Sequence, residues 1–176
     1  RSIKGARVMK KPKAIICDVD GTVALMNKRE PFEYWLAIYD EPNHIVIATV
    51  LATVQNIYPQ PIKLLMVSAR ENMKLGGRFS KEYEAGNDGK ITICENIYDV
   101  TKLWLDKHMG ENSYHKLWLR DEGDYRKDRY VKYDLYKKEI EPNYDVVAVF
   151  DDRDQVVEMW RCGAGLQCFQ VAFGNF

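Results

Sequence analysis

Two aspartates, one residue apart, close the apolar run Ile15-Ile16-Cys17, and a glycine turn follows, giving Asp18-Val19-Asp20-Gly21-Thr22. Side chains alternate along a strand, so a strand through this segment points Asp18 and Asp20 to one face. Paired carboxylates at a strand end suit a nucleophile beside a general acid/base, and the amides of a glycine turn are free to hold an anion. This is the equipment of phosphoryl transfer. Further along, Ser68 follows the run Leu64-Leu65-Met66-Val67, Lys132 lies in a helical stretch, and Asp151-Asp152 follows Val146 to Phe150. Each has a plain structural role available, as a polar strand end, a solvated helix residue or a helix cap. Their weight is joint, because open α/β sheets bind ligands at the carboxyl edge and every one of these groups can reach that crevice.

The elements that must position them are legible as periodicities. Apolar, mostly β-branched runs at Ala14 to Cys17, Ile62 to Val67, Lys116 to Leu119, Val146 to Phe150 and Cys168 to Ala172 alternate with helical stretches. Strands alternating with helices predict a parallel sheet covered on both faces, a doubly wound α/β fold with five main strands. After Pro42 and a capping Asn43, the residues Val46, Val50, Val54 and Ile57 share a helical stripe, predicting a helix to about Tyr58. Asn96 caps a second helix that buries Ile97, Val100 and Trp104 and ends near Gly110. A third starts near Lys127 and buries Val131 and Leu135; a fourth starts near Asp154, buries Val156, Val157 and Trp160, and stops at Gly163 and Gly165. Trp160 reads as core.

Two segments exceed an ordinary connection. Residues 23–42, rich in charge and aromatics, read as a flap over the site, in which Phe32, Tyr34, Trp35 and Tyr39 either stack on a base, pair with another subunit or, as the preferred reading, pack on their own core. Residues 73–96 carry Gly76-Gly77, then Asn87-Asp88-Gly89 and the alternating Lys90-Ile91-Thr92-Ile93, the signal of a β-hairpin insertion.

Composition limits the classes. A chain of 176 residues, 46% hydrophobic, suits one domain with one core, here residues 13–176 after a tag or linker at residues 1–12. Lys plus Arg and Asp plus Glu both number 26, so the chain as a whole is no nonspecific duplex binder and any polyanion contact is local. Cys17, Cys94, Cys162 and Cys168 form no CxxC pair and His44, His108 and His115 have no zinc spacing; free thiols in a reducing cytoplasm are the expectation. No apolar run approaches a membrane span, and no signal peptide is expected. A soluble, cytoplasmic protein is the reading.

The four groups resemble, in order, the motifs of the haloacid dehalogenase superfamily: Asp18-x-Asp20-Gly21-Thr22, Ser68, Lys132 and Asp151-Asp152. The chain is more closely similar to the phosphatase domain of bacteriophage polynucleotide kinase-phosphatases. That likeness rests on Met26-Asn27-x-Arg29, Ser68-x-Arg70, Gly123-Asp124-x-Arg126-Lys127-Asp128, Asp151-Asp152-Arg153-x-Gln155-Val156-Val157-Glu158-Met159-Trp160-Arg161 and Cys168-x-Gln170-Val171-Ala172-x-Gly174-x-Phe176. It departs from that family in two places. No GxxxxGK[ST] phosphate loop of a kinase domain occurs, and residues 73–96 look longer than the phage segment.

The resemblance implies the Rossmann-like fold of that superfamily without a large cap domain, and a role for each residue. Asp18 is the nucleophile that forms an aspartyl-phosphate; Asp20 protonates the leaving sugar oxygen and then activates water. Mg²⁺ is held by the Asp18 carboxylate, the Asp20 backbone carbonyl and Asp151 or Asp152, a hard-oxygen set without His or Cys. Lys132 pairs with Asp18 and the phosphate, Ser68 and the turn amides take phosphate oxygens, and Thr22 serves the turn more than the chemistry. Arg29 and Arg70 clamp substrate phosphates or form ion pairs, and Asp128 orients Lys132 or an arginine. Arg126, Lys127 and Arg129 read as a solvated face that can draw in a nucleic-acid backbone.

The implied activity is removal of a 3'-phosphate from DNA or RNA ends in end healing, within a phage-infected bacterial cell, alongside a separate or fused polynucleotide kinase and a ligase. Two alternatives stay open. One is a phosphatase of nucleotides or small metabolites; the other is a non-enzyme, either a receiver-like signalling module or a catalytically dead binding domain, against which Asp20 speaks.

Overall fold

The computed structural model describes residues 10–56, 61–76, 82–85 and 90–175. Within them β1 (Lys13–Cys17) is followed by β2 (Ala24–Leu25), a 3-10 helix (Tyr34–Tyr39), β3 (Glu41–Pro42), α1 (His44–Asn56) and β4 (Lys63–Glu71). Then come β5 (Glu82–Ala85), β6 (Lys90–Ile93), α2 (Ile97–Met109), β7 (Lys116–Arg120), α3 (Asp128–Leu135), β8 (Asp145–Asp151), α4 (Asp154–Glu158) and β9 (Cys168–Gln170). Both α3 and α4 run on into a wider π-type turn, Tyr136–Ile140 and Met159–Gly163.

The main sheet has the order β7-β4-β1-β8-β9, with every neighbouring pair parallel. The chain builds outward from β1 through β4 to β7, then jumps back over β1 to lay down β8 and β9. Crossovers of one hand that progress in opposite directions place their helices on opposite faces. Ile15, Cys17, Leu64, Met66 and Phe150 accordingly pack with Val50, Ile97, Val100 and Trp104 of α1 and α2. The alternate residues Ala14, Ile16, Leu65, Val67 and Val149 pack with Tyr136, Ile140, Val156, Val157 and Trp160 of the α3 and α4 side. Burial on both faces is why these strands read as unbroken apolar runs rather than alternating ones. The direction reverses between β1 and β8, so their carboxyl ends part there and leave a crevice.

The five-stranded parallel sheet stands as expected, and several boundaries do not. Strand β4 continues past Val67 to Glu71, and its pairing with β7 shifts register between Val67 and Glu71, so Ser68 lies within the strand instead of ending it. On α3 the fully buried positions are Lys132, then Tyr136 and Ile140 in the following turn, whereas Val131 and Leu135 are only half-buried. A buried ion pair, described below, rotates the helix away from its apolar stripe. The expected end of α1 at Ile57-Tyr58 and the turn Asn87-Asp88-Gly89 lie outside the described residues, although β5 and β6 pair antiparallel with Glu84 opposite Ile91.

The segment expected as a flap has a fixed base. Strands β2 and β3 pair antiparallel, Ala37 and Ile38 of the 3-10 helix are buried in the α1/α2 core, and Trp104 Nε1 of α2 donates to the Asp40 carbonyl at 2.9 Å. Of its aromatics, Tyr34 and Trp35 pack against that core, while Phe32 and Tyr39 are exposed.

Candidate active site

At the crevice Asp18 follows β1 and Asp151 ends β8, with Asp152 next to it; all three are buried, and carboxylate oxygens of the three lie within 4.8 Å of one another. Lys132, projecting from α3, donates to Asp18 Oδ1 at 2.6 Å and to Asp151 Oδ2 at 2.8 Å. Thr22 Oγ1 lies 3.2 Å from Asp18 Oδ2 and 3.4 Å from Asp152 Oδ1. Trp160 is core, as its helical stripe indicated, yet its Nε1 also donates to Asp151 Oδ2 at 3.2 Å, which fixes that carboxylate from behind.

Charge explains how these groups titrate. Burial, then the neighbouring Asp151 and Asp152, push Asp18 well above the carboxylate range against the pull of Lys132. Burial and the charge of Asp151 push Asp152 up to about 6. For Lys132, burial opposes the charge, but Asp151 and Asp18 outweigh it and hold the ammonium well above its ordinary value. Three carboxylates facing one ammonium leave a strong demand for positive charge. Hard carboxylate oxygens at this spacing can hold a divalent cation of the Mg²⁺ kind.

The turn after β1 separates the two aspartates of the first motif. The strand ends at Cys17, Asp20 pairs as a single bridge with Ala24, and Gly21 adopts φ +81°. Asp20 therefore faces the same cavity as Asp18, as expected, but engages different partners. Its carboxylate lies outside the cluster of Asp18, Asp151 and Asp152 and receives Arg70 Nε at 2.8 Å, Arg70 Nη2 at 2.8 Å and Arg29 Nη2 at 2.7 Å. A second carboxylate, Asp40, accepts Arg29 Nε and Nη2, both at 2.8 Å, and Arg70 Nη2 at 3.1 Å. The four close a ring of two acids and two bases. The side chains of Arg29 and Arg70 are 1% and 0% exposed, and Arg70 Nη1 also donates to Thr101 Oγ1 of α2 at 3.0 Å. Burial works against ionising Asp20, but Arg70 and then Arg29 overcome it and hold the carboxyl below its usual range.

Asp40 is the residue that sequence reasoning missed. It lies 22 positions beyond Asp18 by the numbering, and a lone aspartate before Glu41-Pro42 carries no motif. The only available signal was its position after the buried pair Ala37-Ile38, since a carboxylate drawn into a core needs a cation.

A cavity of about 280 Å³ opens over these groups, lined by Asp18, Asp20, Arg70, Asp128, Lys132, Asp151 and Asp152, with Arg120, Arg126 and Arg153 toward its mouth. Thr22, Arg29 and Ser68 are not among the lining residues. Ser68 is buried beside Lys132 on an adjoining groove, and its Oγ accepts the Arg70 N–H at 3.2 Å. Asp128 holds two arginines, Arg120 and Arg153, rather than Lys132. Arg126 is engaged by Asp124 at 2.7 Å and Asp134 at 2.6 Å.

Glycine is required at two places around the acids. A Cβ on Gly21 would stand 2.1 Å from Asp152 Oδ2, and one on Gly174 would stand 2.2 Å from the Asp152 carbonyl oxygen. The Gly174 carbonyl accepts the Asp154 N–H at 3.0 Å, and Gln170 Nε2 donates to the Asp152 carbonyl at 2.9 Å.

A family model described as the polynucleotide kinase PNKP phosphatase domain matches residues 12–176. The chain belongs to this family. It is 30% identical, over 85% of its own length and 18% of the other's, to a candidate bifunctional polynucleotide kinase/RNA ligase of Autographa californica nuclear polyhedrosis virus. Among solved structures it is similar to a chain of a Pnkp1/Rnl/Hen1 complex, at 35% identity and TM-score 0.74 over 96% of this chain and 48% of that one. A chain of a Pnkp1/Rnl/Hen1 RNA repair complex gives 36% identity and TM-score 0.73, covering 94% and 44%. The chain thus spans less than half the length of each relative. The family makes it a phosphatase domain of the haloacid dehalogenase type, and the likeness extends to the fold as a whole. Among the described residues no helix is long and apolar enough to cross a membrane.

Proposed function

We propose that this domain is a Mg²⁺-dependent phosphatase that removes the 3'-phosphate from DNA or RNA ends and leaves a 3'-hydroxyl. The observation that carries the reading is the division of labour between two aspartates on one cavity, Asp18 bonded to Lys132 and Asp20 bonded to Arg29 and Arg70.

In this reading an Asp18 carboxylate oxygen attacks phosphorus, and the bond from phosphorus to O3' breaks as O3' takes a proton from Asp20. Water then gives a proton to Asp20 and attacks the aspartyl-phosphate, so inorganic phosphate leaves and both carboxyl groups return to their starting forms. The arginines that hold Asp20 ionised prepare it for the second half. For the first half it must gain a proton, which the arriving phosphoryl anion favours by drawing on the same positive charge. Lys132 pulls against the burial and the neighbouring acids that push Asp18 up, and so favours its nucleophilic anion. Asp18, Asp151 and Asp152 would hold Mg²⁺ with their carboxylates, joined by the Asp20 carbonyl as the family likeness implies. When bound, the ion would supply the positive charge that the cluster lacks and would polarise a phosphoryl oxygen. Arg29 and Arg70 act here mainly on Asp20, with Arg70 also lining the cavity. A polynucleotide kinase and a ligase, to which the relatives' names point, are the partners that an end-healing phosphatase would serve.

The test compares phosphate release from a 3'-phosphorylated oligonucleotide, a 5'-phosphorylated one and a 3'-mononucleotide, each with Mg²⁺ or EDTA, with Asp18→Asn as control. Metal-dependent release selective for the 3'-oligonucleotide and absent in the variant is expected. Better turnover of the mononucleotide would move the domain to metabolite hydrolysis, and release from none would leave a binding module.

A further inference from the structure

The walls of the cavity change character with height. Its floor is carboxylate and ammonium, but its rim carries Met26, Pro31, Phe32 and Tyr34 from the segment after β2 and Tyr125 from the loop before α3. Phe32 is 76% exposed and Tyr125 is 85% exposed, although each lines the cavity. Large aromatic rings left in water forgo the burial that normally places them in a core. Both rings therefore stay available at the edge of the cavity.

Their setting is built. Phe32 meets Tyr34 edge-to-face with ring centroids 6.4 Å apart, and the Arg29 guanidinium carbon lies 5.9 Å from the Tyr34 ring centre. The exposed ring is thereby tied, through Tyr34 and Arg29, to the same network that holds Asp20. Across the mouth, Asp128 is shared by Arg120 and Arg153, so two guanidinium charges meet one carboxylate there. An apolar, aromatic rim beside two guanidinium groups that share one carboxylate, standing above a phosphomonoester pocket, matches a planar base on a polyanionic strand and mismatches a small polar metabolite.

We propose that Phe32 and Tyr125 form a base-stacking subsite that receives the terminal nucleobase while its 3'-phosphate enters the cavity. The inference rests on the phosphatase reading above and adds what selects the substrate. Stacking on an aromatic face tolerates any base, so the subsite favours nucleic-acid ends over other phosphomonoesters without reading sequence.

The experiment measures kcat/KM for a 3'-phosphorylated oligonucleotide ending in an ordinary nucleotide and for the same strand ending in an abasic 3'-phosphate. The parent is expected to prefer the base-bearing end about tenfold, the size of one stacked base. In Phe32→Ala and in Tyr125→Ala that preference should fall toward one, chiefly through KM, and Phe32→Tyr and Tyr125→Phe should restore it. Equal use of both ends by the parent, or a preference that survives both alanine variants, overturns the proposal. Anisotropy of the two labelled strands on Asp18→Asn gives a second readout without turnover. If no substrate is hydrolysed, the phosphatase reading fails, and the base-dependent difference in binding still decides the subsite.

Discussion

Two buried ion networks stand side by side beneath one cavity, and they are solved in opposite ways. Around Arg29 and Arg70, two acids meet two bases, and every carboxylate there accepts from both guanidinium groups. Around Lys132, one ammonium is bonded to Asp18 and Asp151, with the third acid, Asp152, clustered beside them. The first network is closed and neutral, so without substrate it holds Asp20 ionised and in one orientation. The second is unbalanced and buried, which keeps it hungry for a cation and costly without one. The difference teaches how a chain can keep two aspartates of one motif chemically distinct: by giving each a different ratio of acid to base.

The largest effect should come from removing the one cation of the unbalanced network. Lys132→Met is expected to lower kcat by about a hundredfold to a thousandfold and to destabilise the fold by about 3–5 kcal/mol, the usual result of stranding a buried charge. Phosphate release and a denaturant titration measure both. An active variant would mean that the metal alone can manage the cluster.

Breaking the balanced ring should cost less in chemistry. Asp40→Asn leaves two arginines facing Asp20 alone, so its carboxyl should be held still lower and its acid role weakened. The expected result is a fall in kcat of about tenfold to a hundredfold with little change in Mg²⁺ requirement, because Asp40 touches none of the three clustered acids. If Mg²⁺ titration shifts as much as kcat, the two networks are not independent.

How much was legible follows the same division. Asp18, Lys132, Asp151 and Asp152 could be read because strand ends and a helix position bring them together by topology alone. Asp40 could not, since its partners Arg29 and Arg70 arrive from a loop and from β4, and nothing local marks it. The sheet was readable for the same reason as the cluster, its strands being apolar on both faces. The α3 stripe was not, because a lysine occupies a core position there and periodicity counts it as polar. Asp18 and Asp20 meet at one cavity as expected, but their partners differ, because the strand ends at Cys17 and the second aspartate already lies in the turn that Gly21 continues with its positive φ.

Acidity separates the networks further. Because Asp152 is pushed up to about 6, the folded protein binds its proton more tightly than the unfolded chain does. Its stabilising contribution is complete below the ordinary carboxylate range and is lost as pH rises through about 6. In EDTA, the melting temperature should therefore fall as pH rises across that window, with an amplitude up to about 3 kcal/mol. Added Mg²⁺ should stabilise more at pH 7.5 than at pH 5, and Asp152→Asn should flatten the slope. Asp20, held below its usual range, behaves in the opposite sense: its contribution is present above about pH 4 and is lost only in stronger acid. Thermal melts across pH check both limbs.

The smallest effect belongs to an exposed copy of the same chemistry. Arg126 is also gripped by two aspartates, Asp124 and Asp134, but on the surface, where water and salt screen the pairs. Arg126→Gln should leave the melting temperature within a degree or so of the parent's, by about the margin such pairs allow. A large loss there would show that acid-to-base ratio matters more than burial.

The grip of Gln170 and Gly174 on the backbone at Asp152 has a consequence in time rather than in space. The first aspartate of the site is made early and the strand that steadies the last one is made late. Until β9 and the residues after it have left the ribosome, the acidic loop lacks the contacts that set its carbonyl and its N–H. The nascent domain is thus expected to build most of its sheet before the loop at Asp152 has the contacts that set its backbone.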